Sequence, residues 1–86
     1  PAEVEAVLAQ HPAVREAVVF GVADERWGAG PTAAVVLDTE AGDEDLSAFC
    51  RERLAGYKVP VRFERRETLP RNAFGKVQRH RLREPA

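Results

Sequence analysis

The stretch LPRNAFGKV, Leu69 to Val77, carries the clearest chemical potential in the chain. Pro70, Asn72 and Gly75 are turn formers, so the stretch reads as a loop. It sets Lys76 directly behind Gly75, between apolar Phe74 and Val77. A lysine at the tip of a stiff loop can reach into a cleft on another domain. Its ammonium, a compact point charge, suits a phosphate or a carboxylate there. The Gly75-Lys76 pair is not a P-loop. Pro70 stands where that motif needs its first glycine, and Val77 where Ser or Thr should meet magnesium.

No other constellation makes an enzyme alone. There is no Ser/His/Asp set, and no Cys/His spacing suggests a metal. His11 precedes Pro12, His80 lies among arginines, and both read as structural or surface histidines. Cys50 lies on an apolar stripe, which favours a buried, inert thiol. Trp27 lies in a Gly-rich loop, either as a lid over the core or as a stacking surface. In GYKVP, Tyr57 and Lys58 mark a helix exit, with the lysine stem lying along the edge.

The elements that must position these residues fit one small domain of 86 residues. Apolar content of 44% with 31% charged residues fits a globular chain rather than a disordered one. No apolar run approaches a transmembrane segment, there is no signal-peptide pattern, and one cysteine leaves no internal disulfide. A cytoplasmic location is the default expectation. The chain starts at Pro1 and has no Met, so it reads as a piece of something longer. Its net charge of -1 hides an asymmetry: residues 1–56 carry 4 basic and 11 acidic side chains, residues 57–86 carry 9 and 3. Such a basic segment can face an anionic partner.

Helical spacing of Val4, Val7 and Leu8 predicts a first helix that ends at His11-Pro12. Val18, Val19, Phe20 and Val22 form an apolar run suited to a central strand. TAAVVL follows as an antiparallel partner, the connection being short. AGDEDLSAFCRERLAGY is the clearest helix, with Asp43 as N-cap, a stripe of Leu46, Phe49, Cys50 and Leu54, and Gly56 as the residue just past its end. VRFERR reads as a third strand with Val61, Phe63 and Arg65 on one face, and VQRHRLRE as a last short helix. The expected fold is α+β, in the order α-β-β-α-β-α, with helices packed on one face of a small three-stranded sheet.

Four segments in this order, PAEVEAVLAQHPAVREAVVFGVADERWG, AAVVL, LSAFCRERLAGYKVP and LPRNAFGKVQRHRLR, cover nearly the whole chain. Together they resemble the C-terminal domain of the adenylate-forming enzyme superfamily, most of all acyl- and aryl-CoA synthetases. LPRNAFGKV matches the family's closing Leu-Pro-x-x-x-x-Gly-Lys motif. The resemblance implies activation of a carboxylic acid by ATP, then transfer of the acyl group to a thiol, usually that of CoA. It implies that the domain rotates against an N-terminal domain holding ATP, magnesium and acid, that Lys76 is the adenylation lysine, and that Gly75 belongs to the same nucleotide site. For CoA it nominates Trp27, Gly28, Tyr57 and Lys58. Arg62 is added from charge and proximity in sequence. Fatty acid metabolism is one setting such a ligase implies. The hinge and the ATP-binding motifs are not in this chain, so the chain alone is expected to be inactive.

Two alternatives stand beside this one. A peptide-synthetase adenylation domain would pass its acyl group to a carrier-protein thiol. A stand-alone module would bind a polyanion through the basic last third, with strong salt dependence. Nucleic acid is not the expected partner, because no aromatic-rich RNA-binding strand and no Gly-x-x-Gly clamp is present.

Overall fold

The computed structural model describes residues 2–21 and 31–83. Helix α1 (Ala2–Ala9) buries Val4 and Leu8, and Val7 packs partly beside them. It closes with two tight bonds, Gln10 N–H to Val7 carbonyl and His11 N–H to Leu8 carbonyl, both 3.0 Å. His11 is buried and structural: Nδ1 accepts the Ala13 N–H at 3.0 Å, and the ring meets Phe49 edge-on at 4.9 Å.

Strand β1 (Val14–Gly21) runs antiparallel to β2 (Pro31–Leu37), and β3 (Arg62–Arg65) runs parallel to β2. Helix α2 (Asp43–Arg51) lies in the connection from β2 to β3, as a parallel pair requires. The strand order is β1-β2-β3. The central strand is therefore β2, and the expectation that β1 is central is corrected. An apolar run reports that both faces of a strand are covered, not that both edges are paired.

Both faces are indeed covered. On one, Val14, Val19, Ala33, Val35 and Phe63 meet α1, Leu46 and Cys50 of α2, and Leu54 just past the end of α2. Val14 and Val19 share this face, despite differing by an odd number of positions, because the β1–β2 register shifts between Val14 and Glu16. On the other face, Val18, Phe20, Ala34 and Val36 pack against Leu69, Val77 and Leu82 of the C-terminal segment. The expected layout with cover on one face only is thus half the fold. The second cover is a loop and a 3-10 helix (Arg79–Arg83), which stands where a last α-helix was expected.

Other local expectations shift for identifiable reasons. The N-cap of α2 is Gly42, whereas Asp43 is the first helical residue, and its carboxylate lies 2.7 Å from Arg65 of β3. Arg65 also donates to the Ala41 carbonyl at 2.6 Å, which fastens β3 to the start of α2. Three acidic residues in that first turn favour the positive helix end. Helix α2 stops at Arg51 with Glu52 as C-cap, so Gly56 does not close it but opens a 3-10 turn (Gly56–Lys58). Phe63 is buried as expected, and Arg65 shares its side of the strand. Val61 precedes the strand and is 60% exposed, its N–H donating to the Pro31 carbonyl at 2.9 Å. Phe49 is half-buried and carries the Arg53 guanidinium 3.6 Å above its ring.

Burial pushes the Cys50 thiol pKa up, partly offset by the nearby Arg53 charge. The folded state thus holds the thiol proton more tightly than the unfolded state does. The stabilisation is whole below the ordinary thiol value and is lost as pH rises through the raised one. Urea midpoints are therefore expected to fall in the alkaline range, and less so in Cys50→Ala. Cys50 should also resist a thiol reagent until urea unfolds the chain.

Candidate functional site around Lys76

Lys76 is placed by two apolar anchors and a braced turn. Leu69 is buried and Val77 half-buried, both in the second core against the sheet. Between them the chain folds back, Arg71 pairing with Val77 in an isolated antiparallel bridge. Within the fold-back, Asn72 N–H donates to the Lys76 carbonyl at 2.9 Å, and Gly75 N–H donates to the Asn72 carbonyl at 3.0 Å. Asn72 Oδ1 accepts two further donors, Phe74 N–H at 2.9 Å and Lys76 N–H at 3.0 Å. A side-chain oxygen used this way mimics a backbone turn. Outside the turn, Arg71 donates to the Gly75 carbonyl at 2.8 Å and pairs with Glu16 on β1. Gln78 N–H closes the base on the Pro70 carbonyl at 2.7 Å.

Gly75 has φ +83°, the one positive φ among the described residues. A Cβ there would meet nothing within 4 Å, so glycine is needed for the backbone and not for space. Gly75→Ala is expected to lose about 1–2 kcal/mol in urea unfolding through left-handed strain alone. A larger loss would show that the loop packs more tightly than this.

The brace leaves out the Lys76 side chain, which is exposed and has no hydrogen-bond or ion-pair partner among the described residues. It lines a shallow groove of about 460 Å³ with Asn72, Val77, Gln78, Arg79 and His80. A second depression of about 510 Å³ lies between Arg15, Asp38, Arg65 and Arg66. Its cations are already engaged: Arg15 lies 2.5 Å from Asp38, and Arg66 3.1 Å from Glu64.

That pairing is general. The basic last third is interleaved with the acidic first half. Lys58 sits 2.5 Å from Glu3, Arg79 2.9 Å from Glu5, and Arg71 against Glu16. Exposed pairs of this kind contribute about 0–1 kcal/mol each, but they use up the cations. Among the described residues of that third, Lys76 and Arg81 have no such partner, and of the two only Lys76 sits in the braced turn.

The nominated CoA residues are only partly visible. Trp27 and Gly28 lie outside the described residues, as does Val22. Tyr57 is 81% exposed on the 3-10 turn, with Lys58 Nζ 5.8 Å from its ring centroid. The hydrogen bond and then the charge of Glu3 raise the Lys58 pKa. Arg62 opens β3 and pairs with Glu64 at 3.2 Å. No hydrogen bond or ion pair joins Tyr57, Lys58 or Arg62 to Lys76 among the described residues. Asn72 and Arg71 were not nominated from sequence. An Asn four residues before a Gly-Lys lysine, inside a Pro-to-Gly turn, is a signal that could have found Asn72.

The profile of the AMP-binding enzyme C-terminal domain family matches residues 3–76, a span that ends on Lys76 itself. The chain belongs to that family. Among relatives, the 2-succinylbenzoate–CoA ligase of Bacillus velezensis is 56% identical over 84 residues, which is 98% of this chain and 17% of that protein. The Bacillus subtilis o-succinylbenzoate CoA synthetase, solved with its acyl-adenylate intermediate, superposes with a TM-score of 0.90 at 46% identity. The superposition covers 100% of this chain and 18% of that one. A Mycobacterium tuberculosis fatty acyl CoA synthetase superposes with a TM-score of 0.88 at 40% identity, over 96% of this chain and 17% of that one. The chain therefore spans about 17% of the length of the curated family members it matches. Among the described residues, no helix is long and apolar enough to cross a membrane.

Proposed function

We propose that this domain serves an ATP-dependent carboxylic acid–CoA ligase whose acid is of the 2-succinylbenzoate class. The observation that carries the proposal is the 56% identity, across 98% of the chain, to a ligase named for that acid. The expected fatty acid setting is not supported: the ligase at 56% identity is named for 2-succinylbenzoate, and the fatty acyl CoA synthetase stands at 40%. The polyanion-binding module is less favoured, because Lys58, Arg62, Arg65, Arg66, Arg71 and Arg79 are already paired with acids.

In this proposal Lys76 supplies the adenylation cation to a site on an N-terminal domain. A carboxylate attacking the α-phosphorus of ATP brings two anions together, and charge builds on the phosphoryl oxygens. A fixed ammonium offsets that repulsion and orients the acid. Lys76 fits the task because its own fold leaves it unpaired at the end of a braced turn. After pyrophosphate leaves, the domain rotates and turns another surface to the acyl-adenylate. Tyr57, Lys58 and Arg62, with Trp27 and Gly28, would then meet CoA. Lys58 would exchange the Glu3 carboxylate for a phosphate of CoA.

Magnesium is expected with ATP. Among the described residues no three His, Cys, Asp or Glu side chains gather as a metal site. The ion belongs, in this proposal, with the N-terminal domain.

The test is AMP release by the full-length enzyme with ATP and 2-succinylbenzoate, with free CoA compared against a carrier protein. Turnover with free CoA is the expected result. Turnover with the carrier alone would replace the CoA ligase by a peptide-synthetase adenylation domain.

A further inference from the structure

We infer that Asn72 is the positioning residue for Lys76, its carboxamide oxygen fixing where the lysine's backbone leaves the turn. The inference rests on the proposed adenylation role of Lys76. At the tip of the turn nothing packs, since Phe74 is 94% exposed. The shape of residues 72–76 therefore depends on hydrogen bonds. Two of the N–H groups in that stretch, those of Phe74 and Lys76, end on the single atom Asn72 Oδ1. Without that oxygen both would turn to water, and the lysine would swing from a looser base. A lysine stem already has four rotatable bonds, so any freedom at its base is added to freedom in the side chain.

The bonds of the Asn72 side chain stay within its own turn, and neither core cluster includes it. Its loss should therefore misplace Lys76 without loosening the fold. A misplacement of about 1 Å at a reacting group can cost about a hundredfold in rate. The oxygen is used as an acceptor, and its amide Nδ2 has no partner among the described residues. A hydroxyl should thus replace it in part, because Ser and Thr form the same kind of turn more weakly.

The experiment uses the full-length enzyme with Asn72→Ala, Asn72→Thr and Lys76→Ala, and measures both half-reactions. Asn72→Ala is expected to lower the adenylation kcat about ten- to a hundredfold. The KM for ATP and thioester formation from supplied acyl-adenylate should hold, and Asn72→Thr should recover most of the rate. Unchanged adenylation in Asn72→Ala, a Thr variant no better than Ala, or equal losses in both half-reactions would each overturn the positioning role. Lys76→Ala separates the two levels. If it abolishes adenylation while Asn72→Ala does not slow it, the positioning role alone fails. If Lys76→Ala leaves adenylation intact, the adenylation role itself fails and the positioning role with it.

Discussion

Lys76→Ala in the full-length enzyme is expected to abolish acyl-adenylate formation while sparing thioester formation from supplied acyl-adenylate. Removing one preorganised group that stabilises transition-state charge costs about 10²–10³ in kcat, or about 2.7–4 kcal/mol. The upper end is expected here, because the step joins two anions and no other unpaired lysine stands among the described residues. Lys76→Arg should restore little, since a planar fork does not occupy the place of a point charge. ATP–pyrophosphate exchange reads the first half-reaction, and CoA-dependent thioester release reads the second. Stability should hardly change, because the side chain is exposed. Equal loss in both half-reactions would contradict the assigned role.

The largest effect on the fold is expected from Leu46→Ala. Leu46 is 0% exposed on α2 and lies in the same cluster as Leu8, Val19 and Val35. A buried Leu→Ala change costs about 2–5 kcal/mol, from lost transfer energy and the cavity left behind. Domains of this size hold only about 5–15 kcal/mol in all. Each lost kcal/mol lowers Tm by roughly 4–8 °C. Urea and thermal unfolding of the variant measure this directly. A loss under about 1 kcal/mol would mean that α2 relaxes onto the sheet and closes the cavity.

The two predictions separate what is legible in a linear sequence from what is not. Leu46 and Cys50 of α2 were legible because helical periodicity is local, whereas Phe49 of the expected stripe is only half-buried and Leu54 packs from beyond the helix end. The strands were legible as strands for the same reason. Their order was not, because a run such as Val18 to Phe20 looks the same in an edge strand whose faces are covered as in a central one. Asp43 illustrates a finer limit. Acidic residues mark a helix start, but Gly42 holds the N-cap position, and the Asp43 carboxylate pairs with Arg65, 22 positions away in sequence.

The sequence by itself determined the family, the α+β class, and the presence of a turn ending in Gly75-Lys76. The class and the turn follow from residue types at short spacings, which act through local sterics and periodicity, and the family from the resemblance of four segments in order. Only the tertiary structure decided that the C-terminal segment covers the second sheet face, and that the basic third pairs with acids from the first half. It also decided that Lys76 is left unpaired while Asn72 and Arg71 brace its turn. Burial and charge pairing depend on which distant segments meet, and no spacing along the chain carries that.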